Sequence, residues 1–528
     1  MYPKSDRISP FLLSALITLV GFILVVGLAT KGSFNPFEPG FLWRAYNYYF
    51  LSLIDGRLDV PAFAISKEGS FIDGKAYMYY GLLPAITRFL VMPFVDLTTT
   101  PTAYFSIFLF TLVGNGVLQY ALVKHLYVNK VVNEGWTRIS QVQLVIVSLI
   151  LWFGSANFMI SQNATLYHEP YAASLCLFNI YIALLILRGF FIESVGKPSL
   201  LPFALLAGLC VHARMPSALA LYLVTGGLML WLSAKYLREQ HKTLTMWSVV
   251  RQSLINYWRE ILLLTAFGIS IMVLNYLRYG DALNFMGRNY GFIFFEGFSE
   301  RMCNVLPQSD FYKVFRIIIN GYVYLTGDWQ NHWSLIRLFE TGYGRVEGPV
   351  IPVGLLWLLP VLCYVALIWV ACRRIKSGGW LLLLFILAFS AGAIFQLTYP
   401  TIAHRYIATL WLPLGAGLFF YFFLLTSKAA PQFVLTGQTG KSARLLLLAA
   451  LLGVGYQLIL AASHEYYLQD GPIFESVEPN YNYSDEHNQY LAELTNDKIS
   501  LFYQQRKEQR DAACARWREQ DAKWYAEH

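Results

Sequence analysis

The chain alternates between long apolar runs and short charged or tyrosine-rich segments. A helix needs about 20 apolar residues to cross the hydrocarbon core of a bilayer. Runs of that kind lie near 11–30, 101–123, 140–160, 169–187, 199–213, 216–234, 260–277, 351–371, 379–397, 406–425 and 445–462. The pattern predicts about eleven membrane spans. The fifth is short for a full crossing, and Arg214, Met215 and Pro216 turn tightly into the sixth. Two further stretches are apolar without being spans. LLPAITRFLVMPFV (82–95) is short and carries two prolines, so it is expected to be re-entrant or interfacial. FLWRAYNYYFLSLI (41–54) is amphipathic and is expected to lie along the membrane surface.

Basic residues set the orientation. With the N-terminus in the cytoplasm, the inner segments collect Lys4, Arg7, Lys124, Lys130, Arg138, Arg188, Lys197, Lys235, Arg238, Lys242, Arg251, Arg259, Arg373, Arg374, Lys376, Lys428, Lys441 and Arg444. The short outer loops hold only Arg214 and Arg405. Residues 1–462 therefore read as one polytopic domain with outer loops at 31–100 and 278–350, followed by an outer tail, 463–528, that is helical from about 485. No small-residue cleavage site follows Thr30, so 11–30 is expected to be a retained helix rather than a signal peptide.

Composition agrees with this reading. Of the 528 residues 56% are hydrophobic and 14% charged, against about 25% charged in a soluble domain. The net charge of +8 is dispersed in clusters between apolar runs, which argues against nucleic acid as a partner. Six cysteines are too few and scattered for a framework, although Cys303 and Cys514 would both face outward.

Candidate chemistry gathers in the outer segments. The first loop contains Glu38, Asp55, Asp59, Glu68 and Asp73, with Lys75 beyond them. A carboxylate suits the general-base deprotonation of an acceptor hydroxyl, while most loop acids are simply solvated. YHEPYAAS places His168 and Glu169 at the outer start of the fourth span. They serve there either as metal ligands or as capping and interfacial residues, without the second His of H-E-x-x-H. AGLCVHARMP and TIAHRYIATLWLP each set a His and an Arg at an outer boundary. An Arg there either snorkels to the headgroups or grips phosphate oxygens with its planar fork. Because that side is poor in bases, function is the favoured reading for Arg214 and Arg405. GQTGKS (437–442) lacks the first glycine of a phosphate-binding loop, since position 435 is Leu435. NAT (163–165) and NYS (482–484) are glycosylation sequons on the outer side.

In order and sidedness these pieces resemble the GT-C superfamily of polytopic glycosyltransferases, near its protein-mannosyltransferase-like branch. The likeness is carried by LIDGRLDVP and DGKAYMYYGLLPAITRFLVMPF in the first loop, LLAGLCVHARMPSAL, LNYLRYGDALNFMG (274–287) and HRYIATLWLPL. It covers most of residues 1–426 and none of the tail. The resemblance implies an all-α integral membrane bundle. It also implies transfer of a hexosyl or pentosyl unit from a polyprenyl-phosphate donor to a hydroxyl on a glycan, lipid or protein acceptor. A first-loop acid would be the base, with Asp59 first, then Glu38 and Asp73; NPFEPG departs from the family's Asp-Glu pair by offering only Glu38. Lys75, Arg214 and Arg405 would bind the lipid phosphate. His168, Glu169, His404, Tyr406 and Tyr79 would line the sugar or acceptor pocket. The sequence calls for no cofactor and leaves a divalent metal open. The location expected is the bacterial cytoplasmic membrane, with the tail outside. Two rivals stand beside this reading: a lipid or sugar transporter, which would place its charges near the midplane, and a non-catalytic membrane scaffold.

Overall fold

The computed structural model describes residues 9–65, 69–72, 75–131, 137–189, 197–241, 244–284, 314–327, 345–347, 352–373, 379–399, 401–426 and 441–462. Asp73, the tail 463–528 with its sequon, Cys303, and most of the loop 278–350 lie outside these residues, as does the His404 side chain.

The first part of the chain comprises α1 (Pro10–Ala29), α2 (Arg44–Ile54), β1 (Asp59–Val60), α3 (Ala62–Ile65), β2 (Ser70–Ile72), β3 (Lys75–Tyr77), α4 (Leu83–Ile86) and α5 (Arg88–Val91). The bundle continues with α6 (Ala103–Leu126), α7 (Arg138–Phe153), α8 (Ala156–Ser161), α9 (His168–Leu187), α10 (Leu201–Val211), α11 (Met215–Glu239), α12 (Met246–Asn256) and α13 (Trp258–Tyr279). Then come α14 (Arg316–Thr326), β4 (Arg345–Glu347), α15 (Val353–Leu356), α16 (Leu358–Arg373), α17 (Gly379–Leu397), β5 (Thr401–Ala403), a 3-10 turn (His404–Tyr406), α18 (Ile407–Thr426) and α19 (Lys441–Ala462). Six of these helices are long and apolar enough to cross a membrane, and five shorter apolar helices fall on the remaining expected spans. The protein is an all-α multi-pass membrane protein with two small sheets outside the spans.

Local chemistry explains the helix ends. Pro10 opens α1 where its missing N–H costs nothing, and Ser9 Oγ accepts the Leu12 amide at 3.1 Å. α13 stops at Gly280, whose φ of +68° is the left-handed cap that a side chain would resist. The two prolines of 82–95 confine that stretch to the single turns α4 and α5, so it does not form a span.

Lipid tails offer no hydrophobic drive between spans, so close approach and buried hydrogen bonds hold them together. A Cβ on Gly114 of α6 would lie 2.7 Å from Cys176 Cα of α9, and one on Gly392 of α17 would lie 2.2 Å from Pro216 O of α11. Between α6, α8 and α9, Asn115 Oδ1 accepts from Asn157 Nδ2 at 2.7 Å and Asn179 Nδ2 at 2.8 Å. Asn115 Nδ2 in turn donates to Leu151 O at 3.1 Å. Bonds of this kind contribute about 0.6–2 kcal/mol each in lipid.

The first loop forms a cap on one end of the bundle. β3 pairs antiparallel with both β1 and β2, setting Asp59 opposite Tyr77 and Lys75 opposite Ile72. α2 buries Ala45, Tyr46, Tyr49 and Phe50, a stripe with helical spacing, against Val60, Ala76, Met78 and Tyr80. The cap then docks on the corner between α10 and α11: the Leu83 amide donates to His212 O at 2.9 Å. At Gly81 the contact is so close that a Cβ would stand 1.9 Å from the same carbonyl oxygen. Gly81→Ala is therefore expected to cost about 1–3 kcal/mol through forced displacement. A lowered thermal midpoint in detergent, with faster proteolysis within 31–100, would register the loss of docking.

Candidate functional site

Where the cap meets the bundle, the chain encloses a pocket of about 160 Å³. Its walls come from sequence-distant corners: Tyr79–Gly81 of the cap, Tyr167 and Tyr171 at the start of α9, and Arg214 at the start of α11. Asn275 of α13, Gln396 of α17 and the pair Arg405–Tyr406 complete it. Helix polarity explains the convergence. α9, α11 and α18 begin at this end, while α13 and α17 finish there.

Both guanidinium groups rest on tyrosine faces, and an aromatic face attracts a cation electrostatically. Arg214 Cζ lies 3.6 Å from the Tyr171 ring centre and 5.7 Å from that of Tyr406. Arg405 Cζ lies 4.3 Å from the Tyr167 centre and 5.0 Å from that of Tyr406. Arg214 Nη2 donates to Gln396 Oε1 at 2.9 Å, and its Nε has no acceptor among the described residues. No carboxylate among the described residues lines the pocket. The arrangement has the chemistry of an anion receptor, with two planar donor forks beside a largely aromatic wall.

Arg278 and His212 stand behind the wall. Arg278 donates to the Tyr49 hydroxyl and, at 3.2 Å, to the carbonyl of Tyr80, while Tyr279 donates to Met78 O at 3.3 Å. The turn at Gly280 thus clamps the cap from the bundle side. His212 Nε2 lies 2.8 Å from Ser270 Oγ.

The residues singled out from the sequence fall into separate places. Tyr79, Arg214, Arg405 and Tyr406 share the pocket. Glu169 does not line it. It is buried in an ion pair with Arg88, whose Nη2 is 2.9 Å from Glu169 Oε1. His168 is buried against the Thr165 hydroxyl. Asp59 pairs with Arg57 at 2.9 Å, Glu38 accepts from the Ser33 hydroxyl, and Lys75 is exposed at the start of β3; none of these three lines the pocket. Asn163 of the first sequon is buried, 7% exposed. No group of three His, Cys, Asp or Glu side chains among the described residues is placed to hold a metal.

Sequence reasoning passed over Tyr167, Tyr171, Asn275, Gln396 and Arg88 as site or support residues. Signals for some were present. Tyr167 and Tyr171 are one helical turn apart, and Arg88 is a lone cation in an apolar stretch, which demands a partner. The partner network is extensive. Arg88 Nε donates to Asn47 Oδ1 at 3.1 Å, and Asn47 Nδ2 reaches Leu97 O at 2.9 Å and Thr100 O at 2.8 Å. The Tyr46 ring lies 5.4 Å from Arg88 Cζ. Burial and the Glu169 charge push the Tyr46 hydroxyl well above its ordinary range, so it remains neutral.

In overall structure the chain is similar to the archaeal oligosaccharyltransferase AglB from Archaeoglobus fulgidus in complex with an inhibitory peptide and a dolichol-phosphate, with TM-score 0.46 and 10% identity. That match covers 91% of this chain and 60% of AglB, so the chain spans about three fifths of that protein's length. The Archaeoglobus fulgidus oligosaccharyltransferase in its apo form gives TM-score 0.45 at 10% identity with the same coverage. ArnT from Cupriavidus metallidurans bound to undecaprenyl phosphate gives TM-score 0.35 and 12% identity, over 87% of this chain and 76% of that one. No family model and no curated protein sequence matches the chain.

Arg88→Met should destabilise the protein by about 3–5 kcal/mol, because Glu169 would stay buried without its cation. The double variant Arg88→Met, Glu169→Leu should recover most of that loss; thermal unfolding in detergent compares the two.

Proposed function

We propose that the protein is a membrane glycosyltransferase of the GT-C class that its motifs resemble. It would move a sugar from a polyprenyl-phosphate donor to a hydroxyl acceptor at the face carrying the cap. The observation that carries this reading is the convergence of Arg214 and Arg405 on one tyrosine-lined pocket at the rim of the bundle. A transporter would instead concentrate its charges at the midplane.

The chemistry follows from the leaving group. As the bond between the sugar carbon and the phosphate oxygen breaks, negative charge grows on the phosphate. Arg214 and Arg405, which share the pocket, would stabilise the developing anion of a donor bound there without reorganising. Their tyrosine platforms limit the rotamers each guanidinium can visit, so the donor forks are held ready. The lipid delivers the sugar laterally, which removes the need for a nucleotide-binding domain. The acceptor hydroxyl attacks the sugar carbon as a first-loop carboxylate takes its proton. Asp59 is the favoured base: the β1–β3 ladder holds it opposite Tyr77, two residues before pocket-lining Tyr79. Glu38 and Asp73 are the alternatives. Lys75, on the same strand as Tyr77, would add positive charge for the lipid phosphate. His168 and His404 would shape the sugar side. The protein would sit in a bacterial cytoplasmic membrane with this face outward.

Purified protein incubated with a panel of polyprenyl-phosphate sugars should transfer or hydrolyse at least one. Arg405→Ala and Arg214→Ala should each lower turnover roughly 10²-fold, the scale of losing one preorganised donor. Asp59→Asn should abolish transfer while leaving the folded fraction unchanged; wild-type turnover there removes Asp59 from the base role. Absence of turnover with every donor, together with substrate flux across vesicles, would sink the enzyme reading in favour of a transporter.

A further inference from the structure

Along the flanks of α11 and α13, from Tyr222 and Met272 toward α12, lies a second recess, of about 580 Å³. Its walls are almost entirely apolar and include Tyr222 and Met229 of α11 and Leu264 and Met272 of α13. Gly226 and Gly268 also line it, and a Cβ built on either glycine meets no atom within 4 Å. The recess is therefore real space rather than a crevice that a methyl group would fill. α12 roofs it with Val250, Ser253 and Leu254, which share one face at helical spacing. Ser253 Oγ ties the roof to α11 by donating to Met229 O at 3.2 Å.

α12 itself is built for a membrane surface. Thr245 and Ser248 form a capping box that starts the helix without help from a span. Its exposed side presents Met246 and Trp247, 73% and 74% exposed, together with Ile255. Between and just beyond these large apolar groups stand Arg251, then Trp258 and Arg259, all exposed, with Arg259 Cζ 5.4 Å from the Trp258 ring centre. Arg238 is exposed at the end of α11, and Lys197 sits 5.0 Å from the Tyr236 ring centre nearby in the same end of the bundle. Among the described residues two carboxylates share this region. Glu239 is exposed, whereas buried Glu260 is committed to the Leu200 amide at 3.0 Å. The balance is basic. An amphipathic helix with large apolar groups and arginines binds anionic headgroups while burying its apolar face below them.

We propose that the recess is a binding site for an anionic phospholipid, one acyl chain lying between α11 and α13 and the headgroup held by Arg251 and Arg259. The site is separate from the Arg214–Arg405 pocket and does not depend on the glycosyltransferase reading. Its logic is the coincidence of two features in one place. The turns that supply Val250, Leu254 and Ile261 to the apolar lining also supply the two arginines. A neutral lipid would satisfy the recess and leave the arginines without an anion; a soluble anion would do the reverse.

Native mass spectrometry of the detergent-purified full chain, titrated with POPG, POPC or undecaprenyl phosphate, tests this. POPG should be retained in preference to POPC. Arg251→Gln and Arg259→Gln, both at exposed positions, should each weaken POPG retention roughly fivefold. Gly226→Leu combined with Gly268→Leu fills the recess and should abolish specific retention without lowering the unfolding midpoint. Equal retention of POPG and POPC overturns the proposal, as does undiminished POPG retention in the filled variant. Displacement of POPG by undecaprenyl phosphate would also overturn it, assigning the recess to the tail of a prenyl lipid instead.

Discussion

The ion pair between Arg88 and Glu169 is fully buried, and much of the architecture around the pocket depends on it. Two charges taken out of water are tolerated only when each is matched and the remaining donors find acceptors. Arg88 meets that condition through Glu169, Asn47, Thr87 and the Pro84 carbonyl. These partners belong to the amphipathic surface helix, the short turns of the cap and the first turn of a span. The requirement to satisfy one guanidinium thereby joins the cap to the bundle at a defined place.

That junction determines what the rim can do. Tyr167 and Tyr171 flank Glu169 on the same helical start, so the carboxylate that anchors the cap also positions the platforms beneath Arg405 and Arg214. On the other side Arg278 holds the Tyr80 carbonyl, and Gly81 lets the cap backbone come against His212. The division of labour among arginines is physical. Arg88 is neutralised by a carboxylate and is structural; Arg214 is stacked, keeps an unused donor and faces the pocket. Only the second kind retains attraction for an incoming anion.

The two recesses along α11 and α13 illustrate a related contrast. The rim pocket is polar because helix ends bring arginine, asparagine and glutamine together there. The second recess is apolar because it lies between the flanks of two spans, with glycines leaving room. Charge enters the second site only from α12, at its edge.

The spans were legible in the sequence because apolar length is a local property: every expected run coincides with an apolar helix. The amphipathic helix at 44–54, the broken character of 82–95 and the place of Arg214 and Arg405 at helix starts were readable for the same kind of reason, since each is a charge or proline set against an apolar background. Partnership was not readable. Glu169 is adjacent in sequence to a histidine and a proline, and nothing there shows that Arg88, far away in the chain, occupies its carboxylate. Nor could spacing reveal that Tyr171 and Gln396 would meet Arg214. Such contacts arise from which helix ends share one face of the bundle, and packing of glycine against backbone decides that across hundreds of residues.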